Sequence, residues 1–175
     1  MERTETSLIV RTAQPVDGPR IAEIDAAGLA TGHATFRQGP YDWETWQAAF
    51  ADGLQLVAER QGEVLGWAGI SATSTREVYR GVGEISVYVA TEARGLGIGD
   101  ALLSALIQDT EERGFWTLIA QIFPENAASV ALHQRHGFNV LACRKGLGRM
   151  GYGPREGQWR DVLFLERRST FTGQD

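Results

Sequence analysis

The stretch that most limits the fold runs from Glu84 to Ile107, EISVYVATEARGLGIGDALLSALI. Its first part, Glu84 to Ala90, alternates β-branched and aromatic residues and reads as a strand. Ile98, Leu102, Ala105 and Leu106 then recur at helical spacing. Gly95, Gly97 and Gly99 alternate between the two, so a strand passes directly into a helix over a glycine turn. The first amides of a helix lack intrahelical partners and carry the positive end of its dipole, so an anion is favoured there. Glycine lets the backbone approach such a ligand, and Arg94 adds a charged donor. Two common phosphate motifs are excluded. A G-x-G-x-x-G pattern counted from Gly95 and Gly97 ends on Asp100, and no Lys follows the last glycine as a nucleotide P-loop requires. An ordinary strand-to-helix turn also uses glycine, so the turn alone leaves both readings open.

The rest of the chain supplies more strands than helices. Ser7–Ala13 reads as a strand; Pro15 and Asp17 end it and open a helix across Ile21, Ile24 and Leu29. Ala34–Asp42 reads as a loop from its Gly39-Pro40 pair, and Trp43–Phe50 as a short helix with Trp43, Trp46 and Phe50 on one side. Leu54–Glu59 and Val64–Ala72 form a hairpin about Gln61-Gly62. Thr73–Gly83 is polar and reads as loop. Gly114 closes the helix after the glycine turn. Trp116–Phe123 is a strand, Glu125–Gly137 a capped helix and Phe138–Lys145 a strand. A glycine-rich link, 146–157, precedes a last strand, Trp159–Glu166. Arg167–Asp175 is expected to fray. The pattern is mixed α/β.

A length of 175 residues fits one domain over 1–175, with its core at about 8–167. Seventeen basic against 22 acidic side chains, a formal charge of −5, argue against nucleic-acid or anionic-membrane partners. The one cysteine, Cys143, forms no intrachain disulfide and is expected as a buried thiol in a strand. Three His and one Cys show no metal-ligand spacing, so no structural metal is expected. The opening MERTETS has no apolar run, and no segment approaches the roughly 18 apolar residues of a membrane span. A cytoplasmic protein is the expectation.

R-G-x-G-x-G after a VYV strand resembles the acyl-CoA pyrophosphate loop of the GCN5-related N-acetyltransferases, whose pattern (Q/R)-x-x-G-x-(G/A) is matched by Arg94, Gly97 and Gly99. N-x-x-S-x-x-L-H-x-x-x-G-F, Asn126 to Phe138, resembles the helix that flanks the cofactor. Together with E-x-S-V-Y-V from Glu84, ATF at Ala34–Phe36 and G-x-W-x-D-V from Gly157, the chain is similar to the phosphinothricin and methionine sulfoximine acetyltransferases. The link 146–157 is longer than usual in that group, and Thr73–Gly81 departs from its Arg- and Pro-rich form.

The resemblance implies a mostly antiparallel central sheet, splayed at the cofactor site and flanked by helices. It implies acetyl transfer from acetyl-CoA to the α-amine of a small glutamate-like amino acid, in a homodimer with substrate sites near the subunit contact. The cofactor's diphosphate falls to Arg94, Gly95, Leu96, Gly97, Ile98, Gly99 and Asp100. Its amide-bearing arm falls to main-chain groups of Val87, Tyr88 and Val89, with Asn126 and Ser129 on the flanking helix. Other readings are the same reaction on another small amine, or an acyl-CoA sensor without turnover.

The residues also fit the demands of amine acylation. Alternation puts Glu84, Ser86 and Tyr88 on one face of their strand and Ile85, Val87 and Val89 on the other. A carboxylate leading an apolar strand is costly to bury, so Glu84 reads either as a solvated strand end or ion-pair partner, or as a general base acting on the amine through water. An amide at Val87 or a neighbour could receive the thioester oxygen's developing charge. Asn126, Ser129, Val130 and His133 share a helix face by their i, i+3, i+4, i+7 spacing. A Tyr stands at the His133 position in many relatives, so this histidine is an acid, a base or a structural group. Asn126 suits a helix cap, and His136 reads as a surface residue near a helix end. Arg76, Tyr79 and Arg80 are candidates for the substrate's carboxylate and polar end, with Phe36 and Trp159 as pocket walls.

Overall fold

The computed structural model describes residues 7–174; the opening residues read for a leader lie almost wholly outside it. The chain runs β1 (Ile9–Thr12), α1 (Gly18–Ala30), α2 (Trp43–Ala49), β2 (Gln55–Arg60), β3 (Glu63–Ala72), β4 (Val82–Val89), α3 (Ile98–Glu112), β5 (Thr117–Ile122), α4 (Ala127–Arg135), β6 (Asn139–Arg149) and β7 (Trp159–Arg168). The strands form one sheet in the order β1-β2-β3-β4-β5-β7-β6. Every neighbouring pair is antiparallel except β4 and β5.

Parity along β3 places the helices. A Cβ at Gly66 would meet Leu102 and Ile98 of α3, whereas one at Gly69 would meet Phe50 beside α2. Trp67 lies on the Gly69 face, edge-on to Trp46 and stacked on Tyr88 with ring centroids 4.5 Å apart. Gly28 of α1 packs on the same Tyr88 ring, where a Cβ would come within 2.8 Å. Thus α1 and α2 cover one face and α3 the other. Glu84, Ser86 and Tyr88 point to the α1 side and Val89 to α3, as alternation along β4 requires.

The pairing of β4 with β5 is short. Val82, Gly83 and Glu84 face Thr117, Leu118 and Ile119, and pairing stops there although both strands continue. Beyond Glu84 this edge of β4 has no strand partner. The sheet opens into a wedge.

Several expectations need correction. β4 begins at Val82, two residues earlier than Glu84, because Val82 and Gly83 already pair with β5. β6 passes Lys145 and runs to Arg149, through glycines read as breakers. A register shift between Arg144 and Gly148 absorbs them, and Asp161 of β7 holds it by accepting from the Gly146 amide and the Lys145 ammonium, both at 2.9 Å. The end of the chain does not fray from Arg167. β7 continues to Arg168, Ser169 is buried, and the Thr172 hydroxyl donates to Glu111 O at 3.0 Å. Cys143 is exposed rather than buried, because β6 is the sheet's edge and no element among the described residues covers it. His136 is mostly buried at the end of α4 and meets Asp100 at 3.1 Å.

Candidate active site

The wedge between β4 and β5 opens into a cavity of about 860 Å³, bounded also by the start of α3, by α4 and by the loop after α1. That size suits a ligand larger than an amino acid.

At one end lies the glycine turn. Gly95 and Gly97 hold left-handed φ angles of +77° and +78°, which favour glycine. A Cβ at either would meet no protein atom within 4 Å. The amides of Gly95, Gly97, Ile98, Gly99 and Asp100 have no hydrogen-bond partner among the described residues. Leu96 differs: its amide donates to Ala93 O at 3.3 Å, its side chain is exposed, and it does not line the cavity. Arg94 lines the cavity, and its guanidinium has no partner among the described residues. Asp100 is bound by Arg135 at 3.1 Å and His136 at 3.1 Å; chiefly the Arg135 hydrogen bond holds its carboxyl below the usual range. That pairing offsets the one acidic group beside the free amides.

At the wedge itself, Glu84 stands on the last rung of β4–β5 pairing and lines the cavity. Burial pushes its pKa up, and a hydrogen bond from Gln121 Nε2 at 3.1 Å opposes part of that rise. Val87, Tyr88 and Val89 border the cavity along the open edge of β4. The Tyr88 ring itself is in the core, and burial raises its pKa well above the phenol's ordinary value.

On α4, Asn126 caps the helix, accepting from Ser129 N at 3.3 Å and donating to His33 O at 3.3 Å. His133 is 4% exposed, lies edge-on to Phe138, and borders the cavity with Ser129. Its Nδ1 is 2.7 Å from Ser129 O. A carbonyl oxygen can only accept, so Nδ1 carries the proton and Nε2 is left with a lone pair. Burial pushes the pKa of this imidazole down, which keeps it neutral.

The loop after α1 closes the remaining side. Phe36 meets Phe123 edge-on at 5.0 Å and lines the cavity. Link 146–157 holds this loop. Gly148 lies against the Phe36 ring, the Tyr152 hydroxyl donates to Thr35 O at 2.7 Å, and Leu147 joins the lining. Behind the loop, the buried Asp25 carboxylate binds Arg37 at 2.6 Å and the Tyr41 amide at 2.9 Å.

Arg76, Tyr79, Arg80 and Trp159 do not line the cavity. A 3-10 turn at Glu77–Tyr79 directs Arg76 over Tyr79 and Arg80 over Trp116, and Trp159 is 68% exposed. Conversely, His33, Gln121, Glu125 and Arg135 border the cavity without having been singled out in the sequence. Of these, Arg135 lies on α4, the helix that carries Ser129 and His133. Among the described residues no group of His, Cys, Asp or Glu could hold a metal ion, and no helix is long and apolar enough to cross a membrane.

Bare amides at a glycine-rich helix start fit a diphosphate, and an unpaired strand edge fits an amide-bearing arm. With a carboxylate at their junction, they define an N-acyltransferase that uses an acyl-CoA. Residues 24–138 match the model of the acetyltransferase (GNAT) family. The chain is 34% identical over 168 residues to an L-methionine sulfoximine/L-methionine sulfone acetyltransferase of Pseudomonas paraeruginosa, covering 91% of this chain and 94% of the relative. It is 34% identical over 173 residues to a phosphinothricin N-acetyltransferase of Alcaligenes faecalis, covering 95% and 85%. The crystal structure of a phosphinothricin acetyltransferase from Sinorhizobium meliloti in complex with acetyl-CoA superposes with a TM-score of 0.84, at 31% identity, covering 96% and 91%. The chain belongs to the GNAT family and is an acetyl-CoA-dependent N-acetyltransferase.

Proposed function

We propose that the protein acetylates the α-amine of small glutamate-like L-amino acids such as phosphinothricin, methionine sulfoximine or methionine sulfone. The observation that carries this reading is Glu84, a carboxylate with a raised pKa where the sheet opens. Acetyl-CoA supplies the activated acyl group. The chain's own groups bind it and handle the protons. The amides of Gly95, Gly97, Ile98, Gly99 and Asp100 and the Arg94 guanidinium hold the diphosphate, while the open edge of β4 at Val87–Val89 orients the arm. Asn126 and Ser129 border the same channel.

Glu84 takes the proton from the incoming ammonium, directly or through water. A proton transfer against an unfavourable pKa difference costs about 1.4 kcal/mol per unit. Raising the pKa of the carboxyl narrows that difference. His133, neutral with a lone pair on Nε2, is a second proton acceptor on the opposite wall. Phe36 closes the acceptor end. The working form is a homodimer joined through the exposed edge strand β6, in the cytoplasm, with 1–175 acting as a single unit.

The test is thiol release from acetyl-CoA with a panel of amines. Turnover of the sulfoximine, sulfone or phosphinothricin well above that of simple alkylamines supports the reading. Efficient use of a different amine alone moves the substrate class. Tight acetyl-CoA binding with no release for any amine makes the protein a sensor.

A further inference from the structure

Arg160 occupies the second variable position of the G-x-W-x-D-V motif and is the one buried arginine among the described residues, 2% exposed. Its Nη1 donates to Gly32 O at 2.7 Å and its Nη2 to His33 Nδ1 at 3.0 Å. Glu125 Oε2 is 3.4 Å from the same Nη2, and the guanidinium lies over the Phe123 ring, 3.9 Å from its centroid. His33, Glu125 and Phe123 line the cavity; Arg160 stands behind them.

This arrangement decides the state of His33. A guanidinium has no lone pair to offer, so Nδ1 must be the acceptor. The ring proton is therefore on Nε2. The two ring nitrogens diverge, so Nε2–H points away from the buried Arg160. The His33 backbone is held too, since its carbonyl accepts from Asn126. The cavity thus carries two histidines of opposite tautomer: His133 presents a lone pair and His33 a donor.

Charge completes the picture. Glu125 is pushed up by burial, but its own backbone amide and Arg160 more than reverse this and hold it below its ordinary value, so it stays ionised. Arg160 and Glu125 balance each other, and the donor between them is neutral. An anionic group at His33 would meet the Glu125 carboxylate, whereas a neutral, strongly polar oxygen would not.

We propose that His33 determines side-chain specificity, its Nε2–H donating to a neutral S=O oxygen of the acceptor amino acid. This rests on the amino-acid reading above. It selects a sulfone or sulfoximine over the parent thioether and over an anionic phosphinate. Arg160 is the positioning residue that fixes the tautomer.

The experiment measures kcat/KM for L-methionine sulfone, L-methionine and L-phosphinothricin in the wild type, His33→Phe and His33→Gln, together with KM for acetyl-CoA. The wild type should prefer the sulfone to methionine by about tenfold or more, the scale of one hydrogen bond to a site that needs its partner. His33→Phe should bring that ratio near one, and His33→Gln, which keeps an N–H, should restore part of it. KM for acetyl-CoA should stay constant, which also reports an intact fold. A parallel loss for sulfone and methionine would place His33 on their shared amino-acid end and overturn the proposal. An unchanged ratio, or a wild type that favours phosphinothricin over the sulfone, would overturn it as well. Thiol release with none of the three would remove the amino-acid reading and this inference with it, which is distinct from turnover with an unmoved ratio.

Discussion

The Glu84 carboxylate accepts a hydrogen bond from Gln121 Nε2 at 3.1 Å, and Gln121 Oε1 accepts one from Arg144 at 3.2 Å. Arginine can only donate, so Arg144 sets the Gln121 amide with its NH2 toward Glu84. Three strands, β4, β5 and β6, thereby meet at one carboxylate.

That chain predicts a pH shift. The hydrogen bond from Gln121 favours the ionised carboxylate, so removing it raises the pKa further. In Gln121→Leu the acid limb of the kcat/KM profile should move to higher pH. Arg144→Ala should move it the same way by less. Glu84→Gln should abolish the limb and lower kcat by about 10² to 10⁴, with KM for acetyl-CoA little changed. An unmoved limb in Gln121→Leu would separate the glutamine from the base.

His133 predicts how stability varies with acid. Burial lowers its folded-state pKa below the ordinary 6.5, so the unfolded chain binds the proton first. Its contribution is intact above 6.5 and is lost as pH falls from there through the folded-state value. The carboxyls of Asp17, Asp100 and Glu111 are held low and titrate further down; Glu84, held high, has the opposite sign. Urea midpoints measured from about pH 7.5 to 5 should fall in the wild type and fall less in His133→Phe. Equal slopes would contradict the assignment.

At Gly97 the fold and the cofactor can be separated. A Cβ there has no atom of the described residues within 4 Å, so Gly97→Val should cost about 1–2 kcal/mol, chiefly from the left-handed backbone. It should raise KM for acetyl-CoA by about tenfold or more by standing where the diphosphate approaches, with the acceptor's KM nearly constant. A flat cofactor KM would put the diphosphate elsewhere.

Gly148 should show the reverse pattern. A Cβ at this position would come within 2.7 Å of the Phe36 ring. Gly148→Val should push Phe36 into the acceptor end and raise the amino acid's KM while leaving that of acetyl-CoA. Tyr152→Phe, which frees Thr35 O, should do the same more weakly.

Edge strand β6 carries the oligomer prediction. Val140, Leu141 and Leu147 are 40%, 56% and 39% exposed, and a long apolar edge invites pairing. Sedimentation should find a dimer for the wild type and a shift toward monomer for Leu141→Glu. A wild-type monomer at micromolar concentration would remove the dimer from the proposed function.

Much of the fold was legible because it rests on short-range rules. The strand–glycine–helix passage, the Asn126 cap and the shared face of Ser129 and His133 all depend on residues a few positions apart. The sides of β4 followed from alternation alone. The extension of β6 was not legible, since Gly146 and Gly148 read as breakers until Asp161, on another strand, supplies what the bulge needs. The same holds for Cys143, whose strand type was right and whose burial depended on sheet order. Arg76, Arg80 and Trp159 have suitable chemistry, but a turn and a place at the very start of β7 carry them away from the cavity.

By itself the sequence determined the local elements, the strand-to-helix glycine turn and the candidate base, because backbone propensity and side-chain period act over a few residues. Only the tertiary structure decided what surrounds that base. His33 and Arg160 are 127 residues apart and Glu84 and Gln121 are 37 apart; the pairing of β4 with β5 brings the second pair together, and the packing of the loop after α1 beside β7 brings the first. Tautomer, carboxylate pKa and cavity shape depend on atoms a few ångströms away in space, so they exist only after the sheet has chosen its neighbours.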